Sequence, residues 1–168
     1  MMNILQKSKL ITAARDLCIR LSNAAAFIAP LLLRIALALP FFRSGLTRWD
    51  GFLSLSEGQQ FLFQEQFKIH ILGSQYTLPY PDAMAYVVAV LEILLPMLLF
   101  LGLATRVAAA GLLAMTCVIP LVVPDGWANF HLYWASISTT LIAFGSGPLS
   151  VDKLIEAGIK DHNRFPAN

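Results

Sequence analysis

Charge is scarce in this chain. Asp, Glu, Lys and Arg make up 13% of its 168 residues, where soluble domains carry about one quarter. With 57% apolar residues and a mean hydropathy of +0.67, that scarcity excludes an ordinary water-soluble domain. The class is an integral membrane protein, organised as one compact unit. Cysteine is nearly absent as well. Cys18 and Cys117 lie far apart and form no CxxC pair, which argues against a disulfide framework and a thioredoxin-like dithiol. Both read as small apolar fillers. No two histidines have metal-ligand spacing, so no metal site is expected. No nucleophile elbow, P-loop or dinucleotide fingerprint occurs. No basic patch interleaved with aromatics occurs either, so nucleic acid is not an expected partner.

What the chain does have is long apolar blocks. The organising one is 83–106, AMAYVVAVLEILLPMLLFLGLATR, long enough to cross a bilayer as a helix, which takes roughly 20 residues. Spans are expected at 24–45, 83–103, 107–123 and about 127–144, the last polar enough to need a protein-facing side. Residues 1–23 carry Lys7, Lys9, Arg15 and Arg20 beside apolar residues at helical spacing. They read either as a basic amphipathic helix on the membrane surface or as a frayed tail. Eight basic residues fall on the side of the two termini and three, Arg43, Arg48 and Lys68, on the other. The positive-inside rule then puts both termini in the cytoplasm. The fold class is all-α: an antiparallel four-helix membrane bundle with an extra-cytoplasmic interfacial segment between helices one and two. In that segment Ser56 and Gln59 resemble a capping box, and Phe61, Phe63 and Phe67 give the expected helix an aromatic side. Residues 76–81 read as an extended entry into span two, because prolines disfavour helix before them. His70 reads as a solvated loop residue.

Two charges stand out inside the spans. Arg34 lies ten residues past Ala24, and Glu92 nine past Ala83. Running in opposite directions, both fall about 14–15 Å from their starting faces at about 1.5 Å per residue, near the middle of a core about 30 Å thick. Each alone costs roughly 2.5–3.5 kcal/mol there, so a pair is expected. It reads as a structural bridge, a proton-carrying acid, or an anchor for a bound head group. Pro96 removes the hydrogen bond to the carbonyl four residues back, which is that of Glu92. His131, near the outer end of span four, reads as a packing histidine or, with Tyr133 and Trp134, as a quinone or proton contact. Arg106 and Asp152 read as a structural clamp across the cytoplasmic rim.

An arginine in span one, FFRSGLTRW after it, a Glu-containing span two closing in LGLATR, and GSGPLSVD after span four together resemble the DoxX family over about residues 30–154. The resemblance implies a four-helix domain over 24–152 and a cytoplasmic tail over 153–168, in a bacterial inner membrane. It also implies association with quinone-linked oxidoreductases, with a quinone as the candidate cofactor. The expected partners are membrane lipid and a protein subunit or a second copy. The alternatives are a non-catalytic anchor, for example of a metal-binding peptide system, and a small transporter or channel. The family's Gly-x-x-Lys after span one reads Gly45-Leu46-Thr47-Arg48 here, with arginine in the basic place.

Overall fold

A computed structural model describes residues 4–123 and 130–164, with side chains over 9–123 and 130–160. Of the described residues 77% are helical, as the apolar blocks require. A polypeptide in hydrocarbon must satisfy its backbone internally, and a helix does so within one segment. Helix α1 runs Ile4–Leu46, α3 Pro81–Leu101 and α4 Thr105–Val122. These three are long and apolar enough to cross a membrane. Helix α5, Leu132–Phe144, is apolar but shorter; the start of the expected fourth span, 127–129, lies outside the described residues. Helix α6, Val151–Arg164, follows.

The most extensive pairings are α1 with α3 and α4 with α5. Between them lies a core of Leu37, Ala38, Phe41, Leu99, Ala108, Ala109, Leu112 and Leu141. Small residues in this set let the backbones approach, which is how membrane helices gain packing contacts. Gly111 does the same locally, since a Cβ there would come within 2.8 Å of Leu95.

The segment between α1 and α3 is not one interfacial helix. It contains strands β1 Trp49–Gly51 and β2 Ser54–Leu55, a short helix α2 Glu57–Phe61, a π-helical turn Leu62–Gln66, and strands β3 Lys68–Ile71 and β4 Ser74–Thr77. The capping reading holds at its start, where Ser56 Oγ accepts from Gln59 N at 3.3 Å. Beyond it, β3 and β4 pair antiparallel from Lys68↔Thr77 to Ile71↔Ser74. Their two-residue loop has Leu72 at φ 51° and Gly73 at φ 82°. Two successive positive values match the twist of a hairpin. The alternation Lys-Ile-His-Ile favours a strand over continued helix. His70 is half-buried rather than solvated, its Nδ1 3.2 Å from the Leu121 carbonyl oxygen, which ties β3 to the end of α4.

This segment packs on α3. Phe63, Leu78 and Ala85 form a second buried cluster, joined by Leu55, Phe67, Ile69, Met84 and Val88. Helix α1 stops at Leu46, beside Glu92, so the first half of α3 is flanked by residues 47–80 instead.

Candidate functional site

The structure does not join Arg34 to Glu92. Glu92, buried in the middle of α3, is held by Arg48: Nε donates to Oε2 at 2.5 Å and Nη2 to Oε1 at 2.7 Å. This is the two-pronged geometry in which guanidinium and carboxylate bind most specifically. The side chains are only 13% and 6% exposed. Arg48 Nη1 donates to Gln59 Oε1 at 2.5 Å, and its guanidinium lies 5.8 Å from the centre of the Phe63 ring. One arginine therefore ties together the end of α1, the α2 cap and the centre of α3.

Gly45 completes the arrangement. A Cβ on it would lie 2.9 Å from both the carbonyl carbon and oxygen of Glu92. That is the carbonyl Pro96 leaves without its helical donor. Backbone of α1 thus comes directly over the freed acceptor, and only glycine permits the approach. The Gly45-x-x-Arg48 pattern after span one was the signal for this contact, one residue for the approach and one for the charge.

Arg34 does something else. Buried to 1% exposure, it donates from Nη1 to the Leu99 carbonyl at 3.4 Å and from Nη2 to the Leu149 carbonyl. Leu99 belongs to the last turn of α3, whose unpaired carbonyls give that end partial negative charge. Gly102, at φ 66°, closes α3, and a side chain there would collide with the Arg34 guanidinium. The two charges lie at different levels because the bundle begins near Pro30, which packs against Gly147, while residues 24–29 of α1 are exposed. Arg34 is thus near one end of the bundle, and Glu92 lies further along α3, beside the end of α1.

The expected Arg106–Asp152 clamp is also replaced. Asp152 accepts from Ala104 N at 2.7 Å and Thr105 N at 3.0 Å, while its own N–H donates to the Gly102 carbonyl at 2.9 Å. Ala104, at φ 47°, begins α4 without a side-chain cap of its own. Asp152 supplies one from another helix, where the α4 N-terminus favours negative charge. Burial pushes the Asp152 carboxyl up, but donors from Thr105, Ala104 and Ser146 outweigh it and hold it below the usual carboxylate range. The Gly102 turn thus has a cation on the end of α3 and an anion on the start of α4. Arg106 lies outside this clamp, with Nη2 3.5 Å from the Ala143 carbonyl.

His131 is buried at the start of α5, its ring 5.2 Å from Trp134. Trp134 also packs on Phe41 at 5.1 Å and Phe130 at 6.2 Å. Trp49 was not singled out in the sequence. Its ring meets Tyr86 edge-on at 5.5 Å, and its buried Nε1 has no acceptor. Among the described residues no group of three or more His, Cys, Asp and Glu side chains could hold a metal ion. Cys18 and Cys117 are free and exposed rather than buried as fillers.

Long apolar helices and a buried arginine–carboxylate pair define a helical membrane protein with a polar centre. The chain belongs to the DoxX family, whose sequence profile matches residues 29–125. It is similar to a protein of Bacillus subtilis (strain 168) named "Putative oxidoreductase CatD", with 32% identity over 146 residues covering 84% of this chain and 97% of the relative. No solved structure matches it.

Proposed function

We propose that this protein is a quinone-linked, redox-associated subunit or accessory of the bacterial inner membrane, with both termini in the cytoplasm. Its working centre is Glu92 with Arg48, Gln59 and Trp49. The observation that supports this reading is the doubly hydrogen-bonded Arg48–Glu92 pair on an apolar helix. Intramembrane ionisable residues mark functional sites by default. The name of the Bacillus relative points to the same chemical class.

The residues fit a quinone head group in kind. A quinone carbonyl is an acceptor, and the Trp49 indole N–H is a buried donor without one. Bound, the quinone would supply two-electron chemistry. Arg48 and Trp49 would orient its oxygens, and Glu92 would hold or release a proton beside them. Phe63 lies against the Arg48 guanidinium and Tyr86 against Trp49, aromatic surfaces of the kind a flat ring packs on.

The test is quinone binding by the purified full-length protein, with ubiquinone and menaquinone analogues as probes. Glu92→Gln and Trp49→Phe should each weaken binding while the protein remains folded. Unchanged binding in both variants would refute the reading. An assembly role is the second reading, favoured by the long exposed stretch of α1 from 9 to 29. Recovery of a stable complex from native membranes in mild detergent would support it, and a lone monomer would refute it.

A further inference from the structure

The release of Arg106 from the Gly102 clamp leaves a cation at the wall of an open cavity. That cavity, of about 600 Å³, lies between the start of α4, the turn after α5 and the first turns of α6. Arg106 spans its wall over Gly145, where a Cβ would lie 3.6 Å from the Arg106 Nε. Among the described residues its hydrogen-bond acceptor is the Ala143 carbonyl, at 3.5 Å, one contact for a group with five donors. Lys153 lines the same cavity.

The two acids nearby are already occupied. Both oxygens of Asp152 accept backbone N–H groups of α4. Glu156 takes Lys153 Nζ at 2.6 Å and Lys160 Nζ at 2.7 Å. An ammonium has three donors, so Lys153 keeps capacity for a second acceptor. The mouth of the cavity is apolar: Phe144 is 82% exposed and Val107 70%. Val107 lies in the first turn of α4 and Phe144 at the end of α5.

We infer that this cavity binds the phosphodiester of an anionic phospholipid, with Arg106 and Lys153 on the phosphate and the acyl chains leaving past Phe144 and Val107. A fork of donors recognises phosphate oxygens better than a point charge does. Basic pockets among membrane helices at head-group level bind anionic lipid heads. The site is separate from the Arg48–Glu92 centre, and nothing in it depends on quinone chemistry.

The experiment is native mass spectrometry of the full-length protein in detergent, titrated with phosphatidylglycerol. Arg106→Gln should lower its affinity about tenfold, the loss of one charge-assisted contact. Lys153→Gln should lower it less. Arg15→Gln, on the exposed part of α1, should leave it unchanged. Val107→Glu adds an anion at the mouth without touching Arg106, and should reproduce the Arg106→Gln loss even if that variant is poorly folded. Equal phosphatidylglycerol affinity in wild type, Arg106→Gln and Val107→Glu would overturn the proposal. Displacement of the lipid by equimolar inorganic phosphate would also overturn it, by showing a free-anion site. Retention of the lipid through millimolar phosphate supports it.

Discussion

The Arg48–Glu92 contact makes a quantitative demand. Removing one member of a buried ion pair strands the other and costs roughly 3–5 kcal/mol. Exposures of 13% and 6% put this pair at the lower end, because some solvent still reaches Arg48. Arg48 also loses its bond to Gln59, so Arg48→Met should cost about 3 kcal/mol or slightly more. For a chain of this size that is a fall of roughly 6–12 °C in midpoint. The double variant Arg48→Met/Glu92→Leu removes both charges and should recover most of the loss, since apolar replacement of a whole pair is often neutral. The assay is thermal unfolding of the full-length protein in one detergent, run as a double-mutant cycle. A second cycle on Arg34 and Glu92 should show additive losses. Additivity between Arg48 and Glu92, or strong coupling between Arg34 and Glu92, would refute the pairing described above.

Three other outcomes follow from the geometry. Gly45→Leu should force α1 off the Glu92 carbonyl and lower stability by about 1–3 kcal/mol, read from the same melts; an unchanged midpoint would contradict the close approach. Gly102→Ala meets both a positive φ and the Arg34 guanidinium, and should lower accumulation in membranes well below that of Gly58→Ala, which meets nothing within 4 Å. Asp152 releases its proton more readily folded than unfolded, so its contribution is present above the ordinary carboxylate pKa of about 4 and is lost as pH falls through its lower folded value. Melts from pH 6 to pH 3 should therefore fall more steeply for wild type than for Asp152→Asn, and parallel curves would sink that assignment.

The apolar blocks were legible because hydrocarbon leaves little choice: a stretch such as 83–103 must be helical whatever surrounds it. The ends of those helices follow from the same residues: Gly102 and Gly145 take positive φ where their helices stop, which glycine does at least cost. Pairing was not legible, because depth counted from each span's start assumes that the starts are level. Helix α1 ends beside Glu92, while α3 begins eleven residues earlier, about 16 Å away. The chain between them absorbs that offset by folding into strands and short helices. Its pattern is too mixed for a single period, and β3 owes its place to α4 as much as to its own residues. Asp152 is a different case. Its position was noticed, but a carboxylate reaching backbone N–H groups of another helix leaves no mark in residue spacing.

The end of α1 at Leu46 decides what shields Glu92. Beside the first half of α3 stand α2 and the π-helical turn rather than a second long helix, while the β3–β4 hairpin reaches the end of α4. The carboxylate is therefore screened on that flank by a polar and aromatic segment: Arg48 covers both its oxygens, Gln59 holds Arg48, and Phe63 lies beside the guanidinium. Access to Glu92 is set by residues 47–63, not by the length of α3.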